Sequence, residues 1–322
     1  MEHAFRVYIS DEREYFEYST ATGMKKRDFP LLESLLDLLD LDIWPLEPVF
    51  KKISKTILRL HQEPNALLLD DILHGMEELS RKHIYFEFLL WDWQQRLDAL
   101  EESGWDADAL NSLPRKSIEH IPSEIDCMQK QVRLTIEKAL DILTLFADRP
   151  AAERLALHAD YVGERGATSL ELFQFRPLST RYEKIGSAYT EVLYPRSIYD
   201  MVDFFLRESI RRELKLRVCK NCGRYFVLTG RASAEYCDRA ADEKGRTCKV
   251  VGSAKQWGQK SDSDKVFQAY RKEYKKRFAR IKAGKLPAAA FYEWGDAARV
   301  KKKECDEGTI TLDEFKAWLE QS

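Results

Sequence analysis

The stretch CKNCGRYFVLTGRASAEYCDRAADEKGRTC, Cys219 to Cys248, holds four of the chain's six cysteines. The spacing is Cys219-x2-Cys222, fourteen residues, then Cys237-x10-Cys248. A C-x2-C turn folds two thiolates toward one point, and Gly223 directly after it supplies the positive φ such a knuckle needs. Tyr225–Leu228 reads as a strand returning near Glu235–Cys237, with Thr229-Gly230 at the turn. Cys248 opens a helix in TCKVVGSAKQW. Knuckle, hairpin and helix make a treble-clef-like module. Zinc takes four soft or borderline ligands in a tetrahedron. All six histidines (His3, His61, His74, His83, His120, His158) precede residue 159, so the local ligands are Cys219, Cys222, Cys237 and Cys248 around one Zn2+. Four separately buried or redox-active cysteines are the plain alternative, since the second pair is not C-x2-C. Four protein ligands leave no open coordination position, which catalytic zinc requires, so the metal reads as structural.

Charge is unevenly spread around this cluster. The whole chain has a net charge of −2, but residues 211–285 carry 22 Lys+Arg and 8 Asp+Glu, a net of +14. Residues 1–210 carry 25 and 38, a net of −13. Such asymmetry marks a nucleic-acid surface or two parts that attract each other within one fold, and both readings stay open. Just downstream, SDKVFQAYRKEYKKRFARIKAGK puts Phe267, Tyr270, Tyr274, Phe278 and Ile281 on an apolar stripe. Lys265, Lys272, Lys276 and Arg280 lie near the opposite face, where they would meet phosphates of DNA or RNA. The aromatics read as core rather than as stacking platforms.

Upstream, Phe5, Val7 and Ile9 alternate, SDERE turns the chain, and Tyr15, Phe16 and Tyr18 follow, which predicts a hairpin. Leu31 to Ala147 shows helical spacing, with Ser123 as a candidate N-cap and FEFLLWDWQQRL as core. Residues 168–195 look extended again; SLELFQFRPLS and SAYTEVLYP would complete a small antiparallel sheet with the hairpin. Ser197 and Asp200 resemble a capping box opening a helix whose face is Ile198, Met201, Val202, Phe205 and Leu206. At the C-terminus GKLPAAAFYEW and GTITLDEFKAW repeat with a 24-residue offset. Each is a turn at glycine (Gly284, Gly308), an aliphatic residue (Leu286, Ile310) and a helix with Phe and Trp on one face. Pro287 suits the first turn of one helix and Thr311 caps the other.

Other chemistry finds no motif. There is no G-x-G-x-x-G, Walker loop, H-E-x-x-H or G-x-S-x-G. His74 and Glu78 have no second pair, and His83 reads as packed or at the surface. Cys127 and Cys305 read as ordinary buried residues. DEGTITLDEFKAWL mimics half an EF-hand, but Lys303 and Cys305 would fall in calcium-ligand positions. The N-terminus lacks a signal-peptide pattern, and no run of about 18 apolar residues exists. A cytoplasmic protein with no membrane contact is the expectation.

CKNCGRYFV, RASAEYCD and GRTCKVVG, preceded by YPRSIYDMVDFFLRE and followed by AYRKEYKKRFARIKAG, resemble an uncharacterised family of bacterial proteins, mostly from Firmicutes, with a cysteine-rich C-terminal half. The finger is also distantly similar to the CGNR-type zinc finger, in which C-x2-C, a Phe four residues on (here Phe226) and a later cysteine pair recur. CGNR proteins are taken as transcription regulators. Here Cys248 is followed by KVVG instead of that tetrapeptide, so what the resemblance implies residue by residue is the ligand set.

The combined expectation is an α+β, mainly α-helical protein. Residues 1–165 would form an acidic helical domain with a small sheet, and 166–217 short strands and a helix. A four-cysteine zinc module at 218–258 and a basic helix with two turn–helix repeats at 259–322 would follow. The functional expectation is a structural-zinc protein contacting nucleic acid through the finger and the following helix, as a regulator. The alternative is a protein-interaction or scaffold role with purely architectural zinc.

Overall fold

A computed structural model of the chain describes residues 4–20, 22–114, 117–143, 146–164, 172–231, 233–254 and 264–321. The structure is mainly helical with a small antiparallel sheet. By packing, it divides into two units: Met1–Val218 with Gly223–Ala234, and Cys219–Cys222 with Glu235–Ser322.

The first unit begins with β1 (Phe5–Ser10), β2 (Arg13–Thr20) and β3 (Gly23–Pro30). The expected hairpin forms with Val7 opposite Phe16. Its turn holds Asp11 and Glu12 at φ 49° and 57°, a primed geometry that matches the strand twist. Alternation sends Phe5, Val7, Ile9, Phe16 and Tyr18 into the core. β4 (Thr180–Ile185) and β5 (Ala188–Leu193) complete a sheet of order β3-β2-β1-β5-β4, with Val7 opposite Leu193. The expected pairing of the later strands with the hairpin therefore exists, but one of its segments differs. SLELFQFRPLS contributes no strand over 172–179, and its first residues lie outside those described. The following helix captures it instead: Phe173 stacks on Tyr199, the Asp203 carboxylate accepts from the Arg176 N–H at 2.6 Å, and the Tyr199 hydroxyl donates to the Gln174 carbonyl at 2.5 Å.

Behind the sheet lie α1 (Glu33–Asp40), α2 (Glu47–Gln62), α3 (Ala66–Ser80), α4 (Ile84–Glu102), α5 (Ala107–Ser112), α6 (Ser117–Thr135), α7 (Ala151–Glu164) and α8 (Ile198–Arg211). The helical spacing becomes buried stripes: Phe50, Ile53 and Ile57 on α2, Ile72, Met76 and Leu79 on α3, Phe86, Trp93 and Leu97 on α4. Ser123 is not the N-cap of α6. The helix starts at Ser117 and runs through Pro122. Proline there removes one early backbone bond, while Ile118 and Ile121 are buried on the same turn. Ser197 caps α8 as expected, accepting from the Asp200 N–H at 3.3 Å. The Asp200 carboxylate reaches back to the Arg196 N–H at 2.8 Å rather than to Ser197. Ile198, Met201, Val202, Phe205 and Leu206 all face the core.

Two short strands, β6 (Leu216–Val218) and β7 (Tyr225–Val227), pair antiparallel. This corrects the expected hairpin: the partner of Tyr225–Val227 is the strand before Cys219, not Glu235–Cys237. Leu216 is fully buried and fixes that choice.

The second unit holds α9 (248–254), α10 (Lys265–Lys282), α11 (Ala288–Asp306) and α12 (Leu312–Gln321). The expected continuation of α9 beyond residue 254 lies outside the described residues. The repeat reads out as anticipated. Gly284 and Gly308 take φ 68° and 76°, and Phe291, Trp294, Phe315 and Leu319 share one core with Leu286 and Ile310 packed on it. Thr311 and Glu314 form a full capping box: the Thr311 hydroxyl accepts from the Glu314 N–H, and the Glu314 carboxylate accepts from the Thr311 N–H. Pro287 stands one residue before α11, at its N-cap.

Candidate metal centre

The four cysteines of the opening stretch converge. Their sulfurs all lie within 4.8 Å of one another, and Cys222 Sγ and Cys237 Sγ are 3.7 Å apart. Four thiolates placed tetrahedrally at about 2.3 Å from one ion would be about 3.8 Å apart. None of the four is in a disulfide.

Each cysteine is delivered by local chain geometry. β6 runs directly into Cys219, and Gly223 at φ 73° closes the knuckle after Cys222. The Lys220 N–H donates to the Glu235 carbonyl at 3.0 Å, joining the knuckle to the segment that carries Cys237. From Cys237 the chain enters a tight turn, where the Ala241 N–H donates to the Arg246 carbonyl and Ala240 bridges Thr247. The Asp242 carboxylate organises that turn by accepting from the Lys244 and Arg246 N–H groups, each at 3.1 Å. The Cys248 N–H then donates to the Arg239 carbonyl at 2.9 Å. Cys248 stands on the first turn of α9, where the helix dipole favours a thiolate.

A second layer supports the sulfurs. Asn221 Nδ2 donates to Cys248 Sγ at 3.3 Å, and the Cys237 N–H donates to Cys219 Sγ at 3.4 Å. Burial would push the Cys219 thiol up, but the N–H groups of Cys237, Cys222 and Asn221 bring it down to about 7. Burial pushes Cys237 up, and its neighbouring sulfurs add to the rise. Four crowded thiols cannot all ionise alone, and a divalent cation among them would supply the missing charge. Tyr236 lies over Gly252: a Cβ there would sit 2.2 Å from its ring, so only glycine fits.

Burial argues most directly for a metal. Among the described residues of 219–222 and 235–254, those classed as buried are Cys219, Cys237, Cys248 and Gly252. Its described residues make no apolar core, and their interior is the sulfur cluster itself. These donors and spacings fit a bound ion. With four thiolates the coordination is closed, so the ion would hold the chain rather than act on a substrate.

The expected phosphate contacts lie elsewhere in the same unit. Lys265, Lys272, Lys276 and Arg280 are all exposed on α10. The first three line a groove of about 570 Å³ with Lys316 of α12; Arg280 is not part of it. The Lys276 ammonium also reaches Glu273 at 3.2 Å. The packing face of α10 is rotated from the aromatic stripe. Tyr274 and Phe278 are 37% and 44% exposed, whereas Glu273 and Arg277 are buried. The reason is electrostatic. The Arg277 guanidinium lies 4.6 Å from the Trp294 ring centre and 3.3 Å from Glu273, so the pair neutralises itself inside the bundle.

Three features were not anticipated: Asn221, the Gly252–Tyr236 contact and Lys316. A polar residue inside C-x2-C and a lysine in the second repeat carried the faint signals available. Cys127 and Cys305 are half-buried. His83 is buried: its Nδ1 accepts from the Tyr85 N–H as the N-cap of α4, and its Nε2 is 3.0 Å from the Ser34 carbonyl. Among the described residues, no helix is long and apolar enough to cross a membrane.

Residues 173–321 match the model of a family of unknown function, DUF6076. The match takes in the four cysteines and the whole basic helix. No curated protein and no solved structure shows significant similarity to the chain.

Proposed function

We propose that the chain holds one structural zinc ion in Cys219, Cys222, Cys237 and Cys248 and contacts nucleic acid through the basic helix that follows. Zinc suits an all-cysteine site because thiolate ligands are soft and the ion imposes no geometry beyond the tetrahedron. Free thiols in such a cluster suit a reducing, cytoplasmic setting.

One observation carries the nucleic-acid reading. Lys265, Lys272 and Lys276 stand on one face of α10 and meet Lys316 across a groove, a spacing of cations suited to successive phosphates. Fluorescence anisotropy of zinc-loaded protein with labelled DNA and RNA tests it. Binding should weaken with salt, and replacing Lys265, Lys272 and Lys276 by Gln should lower the log–log salt slope by about one per lysine. No binding of either nucleic acid at low salt sinks the reading and leaves a protein-interaction role for the module.

A further inference from the structure

In the first unit a cavity of about 660 Å³ opens between α4, α6 and α8, within the roughly 300–1,000 Å³ of small-molecule sites and in a place where helical bundles build them. Its walls are apolar: Phe88 and Trp93 from α4, Ile125 and Met128 from α6, and Ile198 from α8, all buried. Charge gathers at the exposed edge. Asp92 and Arg96 line the cavity but neutralise each other at 2.8 Å. Arg176 and Arg196 are exposed, line the same cavity and have no carboxylate partner among the described residues. The Arg176 guanidinium is held in place, stacked 3.9 Å from the centre of the Tyr199 ring. Among the described lining residues the one other ionised group is Glu124, so these side chains leave a positive excess at the edge.

We infer that this cavity binds a small amphipathic organic acid, its apolar body between α4, α6 and α8 and its carboxylate at Arg176 and Arg196. The apolar walls select the body by burial. Two guanidiniums with no carboxylate partner among the described residues select the anion, since a planar fork matches a carboxylate. Stacking on Tyr199 lowers the cost of ordering Arg176 on binding. Nothing in this inference depends on the metal or on nucleic acid.

Decanoate and the neutral decanol are the probes, titrated into the full-length zinc-loaded protein by calorimetry. Decanoate should bind at least tenfold more tightly than decanol. Arg176→Ala combined with Arg196→Ala should remove that preference while leaving decanol binding in place. Both arginines are exposed, so this variant should keep the parent's melting temperature. Ile125→Trp, which fills the cavity, should abolish binding of both probes. Occupancy should also slow alkylation of Cys127, a half-buried thiol on the cavity wall, in a Cys305→Ser background. Failure of both probes to bind overturns the site. Equal binding of the two probes, or a preference that survives loss of both arginines, overturns the assignment to an acid.

Discussion

Glu14 lies on β2 with its side chain fully buried, an uncommon place for a carboxyl. Its Oε2 accepts from the Ser34 N–H at 3.1 Å, near the start of α1, where Leu32 is the N-cap residue and offers no side-chain cap. A residue 20 positions earlier therefore supplies the cap that the local sequence lacks. Burial pushes the Glu14 carboxyl up to about 8 from 4.5. Between those values the folded chain holds a proton that the unfolded chain has released. This contribution to stability is complete below about pH 4.5 and is lost as pH rises to about 8. His83 acts the other way, because burial lowers it from 6.5 to about 4; its share is present above pH 6.5 and lost as pH falls toward 4. Comparing Glu14→Gln with the parent isolates the carboxyl. Urea unfolding should show the variant gaining on the parent, by about a few kcal/mol, from pH 4.5 to 8. A constant difference across that range would contradict the burial argument. The second residue-scale prediction concerns Gly252. Gly252→Ala must displace the Tyr236 ring beside Cys237 and should weaken metal affinity about 10–100-fold in a chelator competition; unchanged affinity would show that the ring moves freely.

Among the elements, legibility followed the amount of apolar burial each one makes. The N-terminal hairpin, the apolar face of α8 and the Gly–Phe–Trp repeat of α11 and α12 announced themselves because they feed the cores. β3 did not: GMKKRDFP is almost wholly exposed, and an edge strand laid against β2 needs charge more than periodicity. β4, TRYEKI, fell inside the stretch read as extended but was not singled out as a strand, for the same reason. The partner of β7 was misread because two neighbouring segments were candidates in the sequence, and the buried Leu216, a tertiary fact, decides between them. The rotation of α10 was hidden too, since no periodicity shows that Arg277 will lie on Trp294. Capping was legible where it was local. Ser197→Ala at α8 should cost about 1 kcal/mol in chemical unfolding, read as a lower midpoint at unchanged slope; no shift would mean that Asp200 alone secures the helix start.

At the scale of the whole molecule, the chain sets an acidic, apolar-cored unit in sequence before a basic unit whose first module is built on sulfur. The convergence of the four cysteines was legible from spacing, because C-x2-C and the absence of any later histidine leave few choices. The cavity between α4, α6 and α8 was not, since its walls come from residues more than a hundred positions apart. A module whose buried residues, among those described, are three cysteines and a glycine has little apolar burial to set against chain entropy. Metal binding, on the order of 10–16 kcal/mol for a structural zinc, would supply the cohesion that apolar burial does not. Elemental analysis of the purified full-length protein tests this most directly. The account expects about one zinc per chain, lost in Cys219→Ser and in Cys248→Ser; a well-folded, full-length protein carrying no metal would contradict it.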